Sequence, residues 1–271
     1  MKNTLRRCRT AHDLLRLATA LLTTRHEAEL LGKAVEPLCR PEDNPGSELA
    51  WASFAQNLTA MPLRGGQACA SMRRVGSKGD GGKVLCERVG RLPTAFGKWS
   101  GAVGSDSNAS EGGLVVSVGS NSDFGFEAGV HALAPASRIE TWDGAQPKEM
   151  GLPLAALRPP PFVTLHERNV GPFTWEAYKS EVAVDVLKMD CGGCEWMALG
   201  AWVNNLCTQQ VVVEVHFTPV MLKAKGPAEA LLRHMSASHT LFHAEPNMRC
   251  GYKQTTTRVC LELAWVRTSR C

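Results

Sequence analysis

The second half of the chain alternates between short apolar runs and stretches whose apolar residues recur at helical spacing. Five short runs, most of them rich in valine and leucine, predict strands at residues 114–118, 138–143, 162–166, 182–189 and 210–217. Three helices are predicted between strands, at residues 125–133, 195–204 and 227–236. Two last runs, at 240–243 and 259–266, predict an antiparallel pair of strands. Alternating strands and helices favour a mostly parallel, doubly wound α/β sheet, and near-continuous apolar runs are typical of strands buried on both faces.

The N-terminal part of the chain has a less regular pattern. Residues 1–60 predict a helical and irregular extension, and residues 61–271 predict one α/β domain. In segment 14–22 one face of a helix would carry Leu14, Leu17, Ala18, Leu21 and Leu22, but Arg16 interrupts the apolar run. This pattern favours a helix that packs on the domain over a signal peptide or a transit peptide. No segment reaches the roughly eighteen apolar residues of a membrane helix, so we expect no transmembrane segment.

Composition and charge narrow the class of protein. The 271 residues are enough for one large domain with a substantial core. The formal net charge of +4 is small, and without a concentrated basic face we expect no nucleic-acid partner. Ten cysteines are many for a cytosolic enzyme and few for a disulfide scaffold of this length. Cys250 and Cys260 flank a predicted turn and could pair across a hairpin, but the sequence leaves the connectivity open, as it does the oligomeric state.

The first candidate site is the loop that follows the first predicted strand of the sheet, from Gly119 to Gly125. Glycine is needed in such a turn where backbone N–H groups approach a ligand closely. Asp143 comes 24 positions after Gly119, at the end of the second strand. An acid at this position can accept hydrogen bonds from both ribose hydroxyls of a nucleotide. Two glycines do not make the three-glycine pattern of dinucleotide sites. A cofactor with an amino-acid tail fits better, with Ser120 and Asn121 in place of phosphate-binding amides; the alternative is a tight turn that binds nothing.

The second candidate site follows the fourth predicted strand, which ends on Asp190. Two glycines force a sharp exit, and Glu195 then lies in the first turn of the next helix. The helix dipole favours an acid there, so capping explains Glu195 without catalysis. Cys191 and Cys194 have the spacing of a redox pair. No tryptophan precedes them and no second pair of zinc ligands is evident, which favours packing or a structural disulfide.

The third candidate is His216, which shares one side of the fifth predicted strand with Glu214. A histidine at the end of a strand can act as a base or orient a substrate, and a buried histidine with satisfied hydrogen bonds is the alternative. Asp190, Glu195 and His216 are therefore the candidate bases, in no fixed order.

Five motifs in the same order resemble those of class I methyltransferases that use S-adenosylmethionine, and more narrowly the FkbM-type group and its eukaryotic methyltransferase-like relatives. The resemblance covers about residues 68 to 267 and rests on the following residues: Asp80, Gly81, Gly82 and Cys86; Lys188, Asp190, Gly193, Glu195 and Trp196; Val213, Glu214, Val215 and His216; Phe242, His243, Glu245, Pro246 and Asn247; Cys260 and Glu262. The chain departs from the pattern at Gly192, where the family has an acid, and in its reduced glycine loop.

The resemblance implies a Rossmann-like fold, S-adenosylmethionine as cofactor and no obligatory metal. It also implies a set of cofactor contacts: Gly119, Ser120, Asn121 and Gly125 in the first loop, Asp143 at the ribose, Asn169 and Val170 at the adenine, and Asp190 near the methionine end. The expected function is methyl transfer to a hydroxyl or an amine of a small molecule or a carbohydrate. A catalytically silent binding or scaffold protein and a dehydrogenase-like nucleotide enzyme are the alternatives. Relatives of this type are often Golgi proteins or membrane-anchored, but this chain shows no clear anchor.

Overall fold

The computed structural model of the protein describes the following residues: 25–35, 69–77, 81–89, 92–93, 113–144, 158–180, 183–217, 231, 234–235, 237–247 and 259–268. The chain divides into two compact units, one of residues 69–213 and 270–271 and the other of residues 1–68 and 214–269. The predicted helix at 14–22, most of the helix at 227–236 and the boundary at residue 60 fall outside the described residues, so the boundary stays a prediction.

The described elements are ten strands, three α-helices and one 3-10 helix. The strands are β1 Ser71–Val75, β2 Lys83–Val89, β3 Leu92–Pro93, β4 Leu114–Val118, β5 Arg138–Trp142, β6 Val163–His166, β7 Val184–Met189, β8 Thr208–Phe217, β9 His239–Pro246 and β10 Val259–Arg267. The helices are α1 Arg25–Val35, α2 Gly125–Leu133, α3 Glu195–Asn205 and the 3-10 helix Thr174–Tyr178. Among these helices none has the length and the apolar character that a membrane crossing requires.

A seven-stranded sheet of order β6-β5-β4-β7-β8-β10-β9 confirms the predicted α/β class. The strands from β6 to β8 pair in parallel. β9 and β10 pair antiparallel, as the sequence predicted. The chain adds strands on one side of β4 and then returns to add β7 and β8 on the other side. The carboxyl ends of β4 and β7 therefore meet at the switch point of the sheet, where α/β proteins bind ligands.

Burial explains why these strands read as apolar runs. All five residues of β4 are buried, and so are the last four of β7. Helix α3 packs Trp202 against this core with no exposed surface. In the other unit, helix α1 contributes Glu27, which is 1% exposed and accepts a hydrogen bond from the backbone N–H of Leu241 at 3.0 Å. That contact supplies the polar partner that a buried carboxylate requires.

The sequence pattern missed most of a second sheet, in which β1, β2 and β3 pair antiparallel. Residues 74–86, a glycine-rich turn that leads into a short strand in the sequence pattern, predict only one strand in this region. β1 exposes Met72 and Arg73 and buries Val75 alone, so it lacks the regular alternation that signals a half-buried strand. A disulfide between Cys69 and Cys86 ties the start of β1 to β2.

Gln210 connects β2 to β8 through its side chain. Its Oε1 accepts from the N–H of Cys86 and its Nε2 donates to the Cys86 carbonyl oxygen, both at 2.9 Å. Gln210 is 5% exposed. The amide thus satisfies two buried backbone groups in place of a strand neighbour.

We expect a Gln210→Leu variant to lose about 2–4 kcal/mol of unfolding free energy, because both backbone groups of Cys86 would stay buried without this partner. Gln209→Leu is the matched control, since Gln209 is only partly buried, and we expect it to change stability by less than about 1 kcal/mol. Urea unfolding of both variants measures the difference. Equal losses would show that the bridge does not contribute.

Candidate functional site

The loop after β4 has a backbone that only a few residue types tolerate. Gly119 has φ +79°, and Asn121 and Ser122 have φ 48° and 61°. The Gly119 N–H donates to the Trp142 carbonyl oxygen at 2.8 Å, and a Cβ at Gly119 would overlap the Asp190 carbonyl oxygen. Glycine is therefore required for close packing of the ends of β4, β5 and β7.

Asp143, at the end of β5, holds the loop in place. Its Oδ2 accepts hydrogen bonds from the Ser120 N–H at 2.9 Å, the Ser120 hydroxyl at 2.8 Å and the Asn121 N–H at 2.7 Å. The structure thus brings this loop and Asp143 together, and their contacts with a cofactor stay a prediction. Gly125 lies further on, at the start of α2, where its N–H donates to Asp123 at 2.8 Å.

The segment after β6 reaches the same edge of the sheet. Asn169 lies so close to Gly144 that a Cβ there would overlap its side-chain oxygen. Val170 is 7% exposed, whereas Asn169 is exposed. The structure therefore brings Asn169 against Gly144, the residue that follows Asp143.

Asp190, at the end of β7, forms an ion pair that the sequence analysis missed. Lys83 Nζ lies 2.8 Å from Asp190 Oδ2. The Lys83 side chain is 1% exposed and that of Asp190 is 19% exposed. The sequence signal was a lysine that opens the apolar stretch Lys83–Cys86 directly after two glycines, because a lysine inside a buried strand requires a partner.

Lys188 is a second buried lysine, 2% exposed within β7. Its ammonium donates to the carbonyl oxygen of Gly119 and lies 5.8 Å from the centre of the Phe126 ring. Lys188 thus fixes the position of the loop after β4. This contact gives the lysine of the fourth-strand motif a structural role.

The turn after Asp190 is closed by a disulfide between Cys191 and Cys194. Gly192 and Gly193 between them have φ 66° and 131°. Glu195 is 1% exposed, and its Oε2 accepts from the Gly193 N–H at 2.8 Å, which fits the capping role weighed for it above. All the described cysteines are in disulfides, including Cys207 and Cys260, whereas Cys250 lies outside the described ranges.

His216 belongs to the other unit, near the end of β8. Its Nε2 lies 3.4 Å from Glu214 Oε1. Glu214 also accepts a hydrogen bond from the Asn247 side chain at 3.0 Å, so the late asparagine of the family pattern contacts the fifth-strand acid. Ligand atoms of Glu214, His216 and Cys260 lie within 4.8 Å of one another, but the Cys260 sulfur is in a disulfide and cannot act as a thiolate ligand.

A network of aromatic and charged side chains lies under the Asp143 end of the site. The Trp142 indole N–H donates to the Tyr178 hydroxyl at 2.6 Å, and this hydroxyl donates to Glu140 at 2.7 Å. His166 Nε2 lies 3.1 Å from the same Glu140 oxygen. The rings of Trp142 and His166 stack with centroids 4.2 Å apart. These contacts fix the ends of β5 and β6, from which Asp143 and Asn169 extend.

Burial raises the pKa of Tyr178 well above its ordinary value of 10.0. The folded protein therefore keeps the hydroxyl proton at a pH where the unfolded chain has released it, and stability falls as the pH rises above about 10. We expect Tyr178→Phe to lose about 1–2 kcal/mol at about pH 8, through its broken hydrogen bonds, and the difference from wild type to shrink at higher pH. Urea unfolding across this range tests it, and a constant difference would contradict it.

These strand ends lie at the switch point of a parallel α/β sheet, the position at which α/β proteins bind ligands. A family described as a methyltransferase domain matches residues 33–143 and 175–267, and the chain belongs to this family. This match does not reach the narrower FkbM-type resemblance, which stays a prediction. No curated protein matches the chain.

Among solved structures the chain is similar at low identity to the following three. The crystal structure of a fibrillarin/Nop5p complex shares 14% identity over 57% of this chain and 72% of that one, with a TM-score of 0.41. A putative rRNA-methylase from Clostridium thermocellum shares 14% over 59% and 89%, with a TM-score of 0.38. A SAM-dependent methyltransferase from Agrobacterium tumefaciens shares 11% over 73% and 71%, with a TM-score of 0.38.

Proposed function

We propose that the protein binds S-adenosylmethionine and transfers its methyl group. The observation that carries the proposal is the cradle formed by the loop at Gly119, the carboxylate of Asp143 and the segment at Asn169. Three hydrogen bonds fold Ser120 and Asn121 onto Asp143, and Asn169 lies against Gly144. This set of groups fits an adenosine with an amino-acid tail, since it offers a carboxylate to ribose hydroxyls and lacks the glycine cradle of a pyrophosphate.

The cofactor orientation follows from the order of the strand ends. Asn169 and Val170 would flank the adenine, and Asp143 would accept hydrogen bonds from the ribose hydroxyls. Gly119 and Asp190 would face the amino-acid end. Bound in this way, S-adenosylmethionine supplies an activated methyl group. The role of the chain is then to orient the acceptor in line with that group and to remove its proton.

Asp190, Glu195 and His216 are the candidate proton acceptors, in no fixed order. Asp190 cannot take the proton while it binds the ammonium of the amino-acid end, and Glu195 is engaged with the turn. We propose a hydroxyl or an amine of a small molecule or a carbohydrate as the methyl acceptor, and we compare the protein with the FkbM-type group because its motifs resemble those of that group. The modest net charge of +4 supports this class over nucleic acid. The disulfides are typical of proteins that fold in an oxidising compartment.

A silent binding or scaffold protein is the second candidate function. Gly192 favours it, because the family pattern has an acid there and the glycine leaves open space, with nothing within 4 Å of an added Cβ. The experiment that separates the two uses methyl-labelled S-adenosylmethionine with panels of small hydroxyl and amine compounds, glycans and RNA. Label transfer to the first two panels supports the proposed function, transfer to RNA alone would replace the acceptor class, and cofactor binding without transfer would favour the scaffold.

A further inference from the structure

The ion pair of Lys83 and Asp190 joins two strands that are far apart in sequence. The ammonium at the start of β2 and the carboxylate at the end of β7 lie 2.8 Å apart. The lysine is 1% exposed and the acid 19% exposed, so the charge is buried on one side and accessible on the other. A ligand in the crevice would meet the carboxylate and not the ammonium.

The position of Lys83 is fixed by contacts on both sides of it. Gly82 precedes it, and a Cβ there would overlap the Ser77 carbonyl oxygen. Cys86 follows three residues later, held by its disulfide to Cys69 and by both hydrogen bonds of Gln210. A buried lysine with so little freedom can impose one orientation on its partner, since breaking the pair would leave an uncompensated buried charge.

The backbone of Asp190 lies beside Gly119, on the side of β4 away from Asp143. The Asp190 N–H donates to the Val118 carbonyl oxygen at 2.8 Å, and the Gly119 N–H donates to that of Trp142 at 2.8 Å. Gly119 thus separates two acids. In the proposed function Asp143 binds the ribose. Asp190 faces the opposite end of the cofactor, which carries an ammonium group.

We propose that Lys83 is a positioning residue that holds Asp190 ionised and directed at the amino-acid end of the cofactor. The inference rests on the proposed function and adds to it a residue from the first sheet. Lys83 itself touches no ligand. The rival explanation is that the ion pair only fixes β2 to the large sheet. In that case, loss of the pair would lower the affinity for every ligand of the site to the same degree.

Two ligands separate these explanations, because S-adenosylhomocysteine carries the amino-acid end and 5′-methylthioadenosine does not. We would titrate both by calorimetry into wild type and into Lys83→Met, Lys83→Arg and Asp190→Asn. Lys179→Met, at an exposed lysine, is the matched control. We expect Lys83→Met and Asp190→Asn to lower the affinity for S-adenosylhomocysteine at least about tenfold. The affinity for 5′-methylthioadenosine should change by less than about twofold. Lys83→Arg should restore most of the affinity, because it keeps the charge.

Equal losses for both ligands, or no loss for either, in folded Lys83→Met would overturn the positioning role while leaving the proposed cofactor intact. If Lys83→Met does not fold, the isosteric Asp190→Asn tests the contact through which Lys83 would act, and equal losses for both ligands, or no loss for either, would overturn the role of Asp190 and with it that of Lys83. Wild-type protein that binds neither ligand would overturn the proposed function and this inference together.

Discussion

An Asp143→Ala variant is expected to bind S-adenosylhomocysteine at least about a hundredfold more weakly than wild type. The carboxylate would lose its hydrogen bonds to the ribose hydroxyls, each worth about 1.5–3 kcal/mol to a charged acceptor, and each 1.4 kcal/mol is about tenfold in affinity. The loop would also lose its anchor, because Ser120 and Asn121 direct three donors at Asp143 Oδ2. Calorimetric titration measures the effect.

Two controls identify the cause of that loss. Asp143→Asn keeps one acceptor oxygen and removes the charge, so we expect an intermediate affinity. Glu176→Ala, at an exposed acid of the 3-10 helix, should bind like wild type. An Asp143→Ala variant that is folded and binds with unchanged affinity would show that the ligand, if any, lies elsewhere.

A Gly119→Ala variant should lose about 3–5 kcal/mol of unfolding free energy, together with ligand binding. The positive φ of +79° costs an L-residue about 1–2 kcal/mol. The added methyl would also overlap the Asp190 carbonyl oxygen, so the ends of β4 and β7 would have to separate. Urea unfolding followed by circular dichroism measures the stability.

Gly192→Ala is the matched control for this steric effect. Gly192 has a similar φ of 66°, but nothing lies within 4 Å of an added Cβ. We therefore expect only the backbone cost, about 1–2 kcal/mol. If both alanine variants lose the same stability, close packing at Gly119 is not what the glycine provides.

The large sheet could be predicted because its signals are local. β4 and β7 are buried on both faces, and their valine and leucine runs therefore appear directly in the sequence. The loop at Gly119 and the acid at Asp143 could also be paired in advance, since parallel strands place their carboxyl ends at one edge.

The missing parts of the site depend on contacts between distant segments. The ion pair of Lys83 with Asp190 spans 107 positions, and the bridge from Gln210 to Cys86 spans 124. Neither contact produces a periodic signal in the sequence. A single buried polar residue in an apolar strand does not indicate which distant residue it contacts. β1 was missed for a related reason, since its exposed residues hide the one buried side chain, Val75.

Calorimetric titration of wild-type protein with S-adenosylhomocysteine, beside a nicotinamide dinucleotide, tests the central claim most directly. The cradle at Gly119, Asp143 and Asn169 predicts binding of S-adenosylhomocysteine with a Kd of about 1–100 µM. It predicts no binding of the dinucleotide, because the loop lacks the three-glycine pattern that binds a pyrophosphate. Folded protein that binds no S-adenosylhomocysteine, or that prefers the dinucleotide, would contradict the assignment of this crevice to a methyl-donor cofactor.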